Sequence, residues 1–250
     1  MTGPLVAILS GAGISTESGI PDYRGPNGVW RRDPEAEKLA TYDYYMADPE
    51  IRRRSWQARR TLWELRPEPN AAHRAIADLD RSWIPVRVIT QNVDGLHQRA
   101  GMPGRKVLEL HGTTQDVVCT GCGARTPTAD VLPRLEAGEA DPPCLDCGGI
   151  LKTATVMFGQ ELDSLVLGQA AAIARACEVM IAVGTSLQVY PAAGLVDIAV
   201  DGGARLIVVN AEPTPYDGLA SEVIREPIGA ALPALLGRLR REYDEREAGA

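Results

Sequence analysis

The sequence predicts an α/β fold: a parallel sheet with helices on both faces, plus a smaller lobe made of two insertions. Three observations predict it. Short β-branched runs alternate with Ala- and Leu-rich stretches of helical length, the pattern of parallel strands joined by crossover helices. The first of these runs ends directly in a glycine loop. A segment rich in Cys, Gly, Pro and Thr interrupts the alternation at 116–153.

Residues 5–9 (LVAIL) predict the first strand, followed by the loop Gly11-Ala12-Gly13-Ile14-Ser15 and an irregular stretch broken by Gly19, Pro21, Gly25, Pro26 and Gly28. Residues 34–66 predict helix, ended by Pro67 and Pro69. Asn70 predicts the N-cap of a further helix through about residue 80. Strands are expected at 86–89, 107–110, 179–183 and 206–209, and helices at 164–176, 191–200 and 228–242. The acidic Ala/Gly tail after Tyr243 is expected to fray. Segments 1–30, 70–115 and 154–250 then form the larger domain. The helical insertion 31–69 and the cysteine-rich insertion 116–153 form the smaller one, and a cleft between two lobes is a favoured place for a ligand.

The chain has 250 residues, 45% of them hydrophobic, enough for a sizeable core. Its only Phe is Phe158, so the core must be built mainly from Ala, Val, Leu and Ile. A net charge of -7 argues against direct nucleic-acid binding, because neutralising phosphates takes clustered Lys and Arg. The arginines at 52–54 and 59–60 read as a solvated helix face. No run of about 18 apolar residues predicts a membrane span. The N-terminus lacks a basic head and cleavage site, so a cytoplasmic location is expected. In that compartment thiols stay reduced, and five cysteines call for a metal or catalytic reading before a disulfide one.

A strand running into GAGIS is a phosphate-loop pattern: glycine admits close backbone approach, and successive N–H groups can hold an anion. The G-x-G-x-x-G spacing fails at Thr16, and no acidic residue closes a second strand where dehydrogenases bind ribose. A nucleotide ligand is expected without hydride transfer. The strand at 86–89 ends in Thr90, Gln91, Asn92, Asp94 and His97, polar equipment that suits either a turn or a ligand site at the carboxyl end of a parallel strand. Cys119-x-x-Cys122 and Cys144-x-x-Cys147 have the spacing of a zinc ribbon. Four thiolates close the coordination shell, so the zinc is expected to be structural. Cys177 reads as a buried apolar residue. His73 reads as a capping or surface residue and His97 as a loop residue. His111 follows a predicted strand and can accept a proton at neutral pH.

Together these stretches resemble the sirtuin (Sir2-like) family of NAD-dependent protein deacylases, bacterial type. The resemblance runs from about residue 5 to residue 236. Its pieces are GAGIS at 11–15, GIPDYRG at 19–25, TQNVDGLH at 90–97, HG at 111–112, the cysteine pairs, FGQ at 158–160, GTS at 184–186 and VN at 209–210. It implies a Rossmann-like sheet with NAD as co-substrate and one structural zinc. It places Gly11, Ala12, Gly13, Ser15, Asp22, Tyr23 and Arg24 around the pyrophosphate and nicotinamide side. Gln91 and Asn92 fall at the nicotinamide ribose, beside Val93, and Asp94 at the carboxamide. Gly184, Thr185, Ser186 and Asn210 line the adenosine end, with Ile228 near adenine. His111 and Asn92 are the implied catalytic residues. The acyl oxygen of an acylated lysine attacks the ribose at C1′ and nicotinamide leaves. His111 then accepts a ribose hydroxyl proton, and the 2′-hydroxyl attacks the imidate. Free lysine, nicotinamide and O-acyl-ADP-ribose result.

The implied partner is an acyl-lysine protein or peptide, added as a strand near Val156, Phe158 and Gly159. The expected oligomeric state is a monomer. The chain departs from the family at Tyr23 (usually Phe), Gln160 (usually Glu) and Lys152-Thr153 (commonly Arg-Pro). Trp56 stands where family members that remove succinyl groups carry Tyr, three residues before Arg59. Both are read as substrate-binding, and the bulkier indole favours a neutral acyl group such as acetyl or propionyl. Two other readings compete: a protein ADP-ribosyltransferase on the same scaffold, and a non-catalytic NAD-binding module. His111 speaks against the first, and the intact polar set Gln91, Asn92, Asp94 and His111 against the second.

Overall fold

The computed structural model describes residues 4–25 and 28–249. Six strands form one parallel sheet: β1 (Val6–Ser10), β2 (Val86–Thr90), β3 (Val107–Glu109), β7 (Val179–Val183), β8 (Arg205–Val209) and β9 (Glu222–Ile224). Their spatial order is β3-β2-β1-β7-β8-β9. The chain therefore winds outward from β1 in one direction and from β7 in the other. The crevice between the carboxyl ends of β1 and β7 is the topological switch point, where open α/β sheets bind their ligands.

The β-branched strands are buried on both faces, and their two-residue period sorts the side chains. Val6 and Ile8 join Val86, Val88, Ile181 and Val183 in one core, covered by α4 (Ala71–Asp80) and α9 (Ile228–Ala248). Ala7 and Leu9 join Ile89, Met180 and Ala182 in a second core, beneath α7 (Ser164–Ala176) and α8 (Gly194–Asp201).

A second, antiparallel sheet has the order β5-β4-β6, from β4 (Gly112–Cys119), β5 (Arg125–Pro127) and β6 (Leu151–Thr155). Its apolar cluster takes Val117 from β4, Leu151 from β6 and Val131, Leu132 and Leu135 from α6 (Thr128–Glu136). Trp56 completes it from α3 (Pro49–Leu65). The Tyr45 hydroxyl donates to the Leu151 carbonyl at 2.7 Å, and Arg52 pairs with Asp141 at 2.7 Å, so the two insertions are tied together.

Several elements differ from the sequence reading. The expected helix at 34–66 is three: a 3₁₀ segment (Pro34–Ala40), α2 (Tyr42–Ala47) and α3. The breaks fall at Thr41, whose extended backbone bridges to Phe158, and at Asp48-Pro49; Asp33-Pro34 starts the first segment. Asp33 and Asp48 cap the following segments through the N–H groups of Glu35 and Glu50, with Pro34 and Pro49 in the first turns. Two short helices, α1 (Val29–Arg32) and α5 (Leu96–Arg99), lie in stretches read as irregular or turn. The arginine run is not one solvated face, because successive helical residues turn by about 100°. Arg53 and Arg54 are exposed, whereas Arg52 is buried against Asp141 and the carbonyls of Tyr45 and Met46. The tail after Tyr243 does not fray. Tyr243 is buried in the core, Arg246 pairs with Glu178, and Trp83 donates to Asp244 at 2.7 Å. Tyr243→Ala is accordingly expected to cost about 3–5 kcal/mol and to expose the last turns of α9. Urea denaturation and amide exchange of residues 240–248 check this.

Candidate functional site

A cleft of about 1290 Å³ opens where β1, β2 and β7 end. Its floor depends on three glycines. Gly184 has a φ of +60°, and a Cβ there would lie 2.3 Å from the Ile14 nitrogen. A Cβ on Gly11 would lie 2.7 Å from the Gly184 carbonyl oxygen, and one on Gly13 would lie 2.8 Å from the Gly184 Cα. The Gly13 N–H donates to the Gly184 carbonyl at 2.8 Å. These are backbone-to-backbone contacts with no room for a side chain.

The polar end of β2 is held in place before any ligand arrives. The Gln91 amide donates to Thr185 Oγ1 at 2.9 Å. Asn92 is buried and donates to the Gly11 carbonyl and to Ser15 Oγ, both at 3.1 Å. Ser15 Oγ in turn donates to Asp94 at 2.7 Å, and the other Asp94 oxygen accepts from the Leu96 N–H at 2.9 Å. A chain of hydrogen bonds thus links the glycine loop to the β2 turn. Behind it, Ser10 Oγ meets His97 Nε2 at 2.9 Å and Thr90 Oγ1 at 2.9 Å.

The three histidines have different fates. His73 does take part in a cap, completing a capping box with Asn70, but it is buried and not on the surface. Its ring packs edge-on against His97 at 5.0 Å. Burial lowers the pKa of His73 to about 4 and of His97 to about 3, so both are neutral. His111 lines the cleft. Its Nδ1 lies 2.9 Å from the Gln91 carbonyl, which can only accept, so Nδ1 carries the proton. The Nε2 lone pair is left as an acceptor. Burial lowers the His111 pKa, partly offset by the hydrogen bond to Gln91.

The cleft is lined by every residue assigned from the resemblance to the catalytic, cofactor and substrate sites: Gly11, Ala12, Gly13, Ser15, Asp22, Tyr23, Arg24, Trp56, Arg59, Gln91, Asn92, Val93, Asp94, His111, Val156, Phe158, Gly159, Gly184, Thr185, Ser186, Asn210 and Ile228; Thr90 and His97, from the same polar strand end, do not line it. Trp56 is almost wholly packed in the small-sheet core, and its Nε1–H has no partner among the described residues. Tyr23, Trp30 and Phe158 stack in series, with ring centroids 5.0 and 5.4 Å apart, and Arg24 lies 4.3 Å over Trp30. Trp30 and Arg225 escaped the sequence reading. Arg225 donates to the carbonyls of Asn210 and Glu212 at 2.7 and 3.1 Å, fixing the loop that carries Asn210. No sequence motif announces it, because the contact depends on β9 returning beside β8.

The four cysteine sulfurs all lie within 4.8 Å of one another, with Cys119–Cys147 at 3.5 Å and Cys122–Cys144 at 3.8 Å. Tetrahedral zinc at about 2.3 Å from each sulfur needs edges of roughly 3.8 Å, so the tetrad fits one structural zinc. The N–H groups of Gly121 and Cys122 point at Cys119 Sγ, as they do at a metal-bound thiolate. Cys177 is buried and lies apart from the tetrad.

The model of the Sir2 family matches residues 11–191. NAD-dependent protein deacetylase 2 of Streptomyces coelicolor is 77% identical over 94% of this chain and 98% of its own length. A solved Sir2 structure with a p53 peptide and NAD+ superposes with a TM-score of 0.80 at 35% identity, over 95% of this chain and 92% of that one. Another Sir2 structure, bound to a propionylated peptide, gives a TM-score of 0.81 at 34% identity over the same shares. The chain belongs to the Sir2 family.

Among the described residues no helix is long and apolar enough to cross a membrane. Cys144→Ala is expected to lose its zinc and to destabilise the three-stranded sheet, while the buried six-stranded sheet persists. Elemental analysis of the purified variant, with limited proteolysis across 112–155, tests this. Full retention of one zinc per chain would contradict the four-thiolate set.

Proposed function

We propose that this chain is an NAD-dependent protein-lysine deacylase that removes acetyl and other short acyl groups, yielding free lysine, nicotinamide and O-acyl-ADP-ribose. The observation that carries the reading is His111, a neutral imidazole with its Nε2 free in the cleft, beside the ordered polar turn of β2. The name of the Streptomyces relative and the ligands of the two neighbour structures support the same activity.

When bound, NAD supplies the nicotinamide that leaves and the ribose hydroxyl that takes the acyl group. The chain's own residues bind, orient and move a proton. The N–H groups and small side chains of Gly11, Ala12, Gly13 and Ser15, with Asp22, Tyr23 and Arg24, hold the pyrophosphate and nicotinamide side. Gly184, Thr185, Ser186 and Asn210 hold the adenosine end, with Ile228 against adenine. Gln91, Asn92 and Val93 orient the nicotinamide ribose, and Asp94 meets the carboxamide. Asn92 is fixed by Gly11 and Ser15 and does not need to reorganise. His111 Nε2 receives the ribose hydroxyl proton.

The acyl-lysine peptide lies along Val156, Phe158 and Gly159, with Trp56 and Arg59 on the acyl side. The same reading divides the chain into an NAD-binding domain (1–30, 70–115 and 154–250) and a small domain (31–69 and 116–153). It also makes the protein a cytoplasmic monomer that acts on proteins and not on nucleic acid.

Incubation with NAD and an acetyl-lysine peptide is expected to release nicotinamide and deacylated peptide in equal amounts. Nicotinamide release with ADP-ribose appearing on protein, and no deacylated peptide, would refute the reading. His111→Tyr is expected to lower turnover by about 10²-fold or more with an unchanged melting temperature. The pH dependence follows from the sign of the shift. The base works when neutral, and burial lowers its pKa, so the neutral form survives further into acid. The acidic limb of kcat/KM should therefore fall below the ordinary histidine value of about 6.5.

A further inference from the structure

Thr90 and His97 belong to the polar strand end that serves the cleft, yet neither lines it. Both are buried, and Ser10 lies between them on β1. Ser10 Oγ donates to Thr90 Oγ1 at 2.9 Å. A hydroxyl has one proton to give, so the 2.9 Å contact between Ser10 Oγ and His97 Nε2 is a bond donated by the ring. Thr90 Oγ1 also accepts the Asn92 N–H at 3.0 Å. These hydrogen bonds run without a break from the imidazole to the backbone of Asn92. The segment closes on itself as well. Leu96, the first residue of α5, donates its N–H to Asp94, and His97 follows it. The ring brings the turn back to Ser10, the partner of Thr90 in the β1–β2 register.

The proton on Nε2 leaves Nδ1 as a bare lone pair. It is buried, with no hydrogen-bond partner among the described residues. An apolar side chain would fill the same space without stranding an acceptor. What the imidazole adds is one donor aimed at Ser10. At the other end, the Asn92 amide spends both its protons, on the Gly11 carbonyl and on Ser15 Oγ. The side chain therefore offers a ligand only Oδ1, an acceptor. Such a group works only in the right place, since a displacement of about 1 Å can cost 10²-fold in rate.

We propose that His97 and Thr90 are positioning residues: through Ser10 they hold the backbone of Asn92 where its Oδ1 meets the nicotinamide ribose. This rests on the deacylase reading. Neither residue lines the cleft, so neither is a catalytic residue.

The test is steady-state kinetics on an acetyl-lysine peptide. His97→Leu removes the donor and keeps an apolar filler. It should lower kcat by about tenfold and leave KM for NAD and for peptide within about twofold. The reason is that the NAD contacts are spread along the whole cleft, whereas the reacting geometry depends on one acceptor. His97→Gln places an N–H at a similar reach and should restore kcat to within about threefold. Thr90→Val keeps the shape, loses the shared oxygen and should repeat the loss. The double variant His97→Leu with Thr90→Val should also lose about tenfold and not hundredfold, because both changes cut one path. Melting curves establish folding, and Thr90→Val carries the test where His97→Leu does not fold.

A folded His97→Leu or Thr90→Val protein with wild-type kcat overturns the proposal. So does a loss that His97→Gln shares in full, losses that multiply in the double variant, or a rise in KM for NAD at unchanged kcat. Absence of NAD-dependent turnover by the wild type overturns the deacylase reading instead. The side-chain amide protons of Asn92, followed by NMR in the ligand-free protein, then still report on the positioning. They should exchange with solvent about tenfold faster in His97→Leu than in the wild type or His97→Gln. Equal exchange in all three overturns the proposal.

Discussion

The site depends on the contact between two backbones at the ends of β1 and β7. Gly13 donates to Gly184, and Gly184 sits against Ile14 at a distance that excludes any Cβ. Because the chain leaves β1 in one direction and β7 in the other, this contact marks the place where the sheet divides. The ends of the strands therefore diverge around an open crevice. If the backbones stood further apart, the hydrogen bonds from Asn92 to Gly11 and from Gln91 to Thr185 would lengthen or break. The polar turn after β2 would then have to be ordered by the ligand. In this structure the order exists beforehand, so ligand binding does not have to supply it.

Dehydration decides what each histidine can do. His73 and His97 sit behind the cleft, stacked on each other, with pKa values pushed far below neutrality. They act as neutral hydrogen-bonding and packing groups that support Asn70 and Ser10. His111 is one short strand further along, at the edge of the same buried layer. It is dry enough to stay neutral and open enough to leave Nε2 accessible. Its tautomer is set by a carbonyl of the strand that also carries Gln91 and Asn92. One segment thus sets both the geometry of the polar turn and the proton position on the imidazole.

Much of this was legible in sequence, because the features rest on local chemistry. A β-branched run buried on both faces reads as a strand, and glycines required by backbone contact read as a loop. Paired C-x-x-C knuckles read as four converging thiolates. Polar residues at a strand end were ambiguous alone; the resemblance to the sirtuin family, carried by the glycine loop, the Cys pairs and the other motifs together, gave them their roles. What escaped depends on contacts distant in sequence. The strand β9 is only Glu222–Ile224, too short and polar to announce itself, and Arg225 matters only because β9 lies beside β8. The acidic tail looked free because nothing local shows that Tyr243 enters the core or that Glu178 awaits Arg246. The break at Asp48-Pro49 was readable, yet the Ala- and Glu-rich composition around it masked the signal, and the break at Thr41 depends on its bridge to Phe158, distant in sequence.

The small lobe gains its position from the same economy of contacts. Trp56 belongs to its apolar core through Val117, Leu132 and Leu151, yet it also lines the cleft. Tyr45 and Arg52 bind the helical insertion to the cysteine-rich one through Leu151 and Asp141. A zinc held by Cys119, Cys122, Cys144 and Cys147 stiffens the far end of β4 and β6, the strands whose near ends carry Gly112 and Thr155. The Val156 N–H then donates to the His111 carbonyl at 2.7 Å. Metal, small-sheet core and imidazole are thus joined by two strands. A loosened zinc end would be felt at His111 as a change in position, although no cysteine comes near the chemistry.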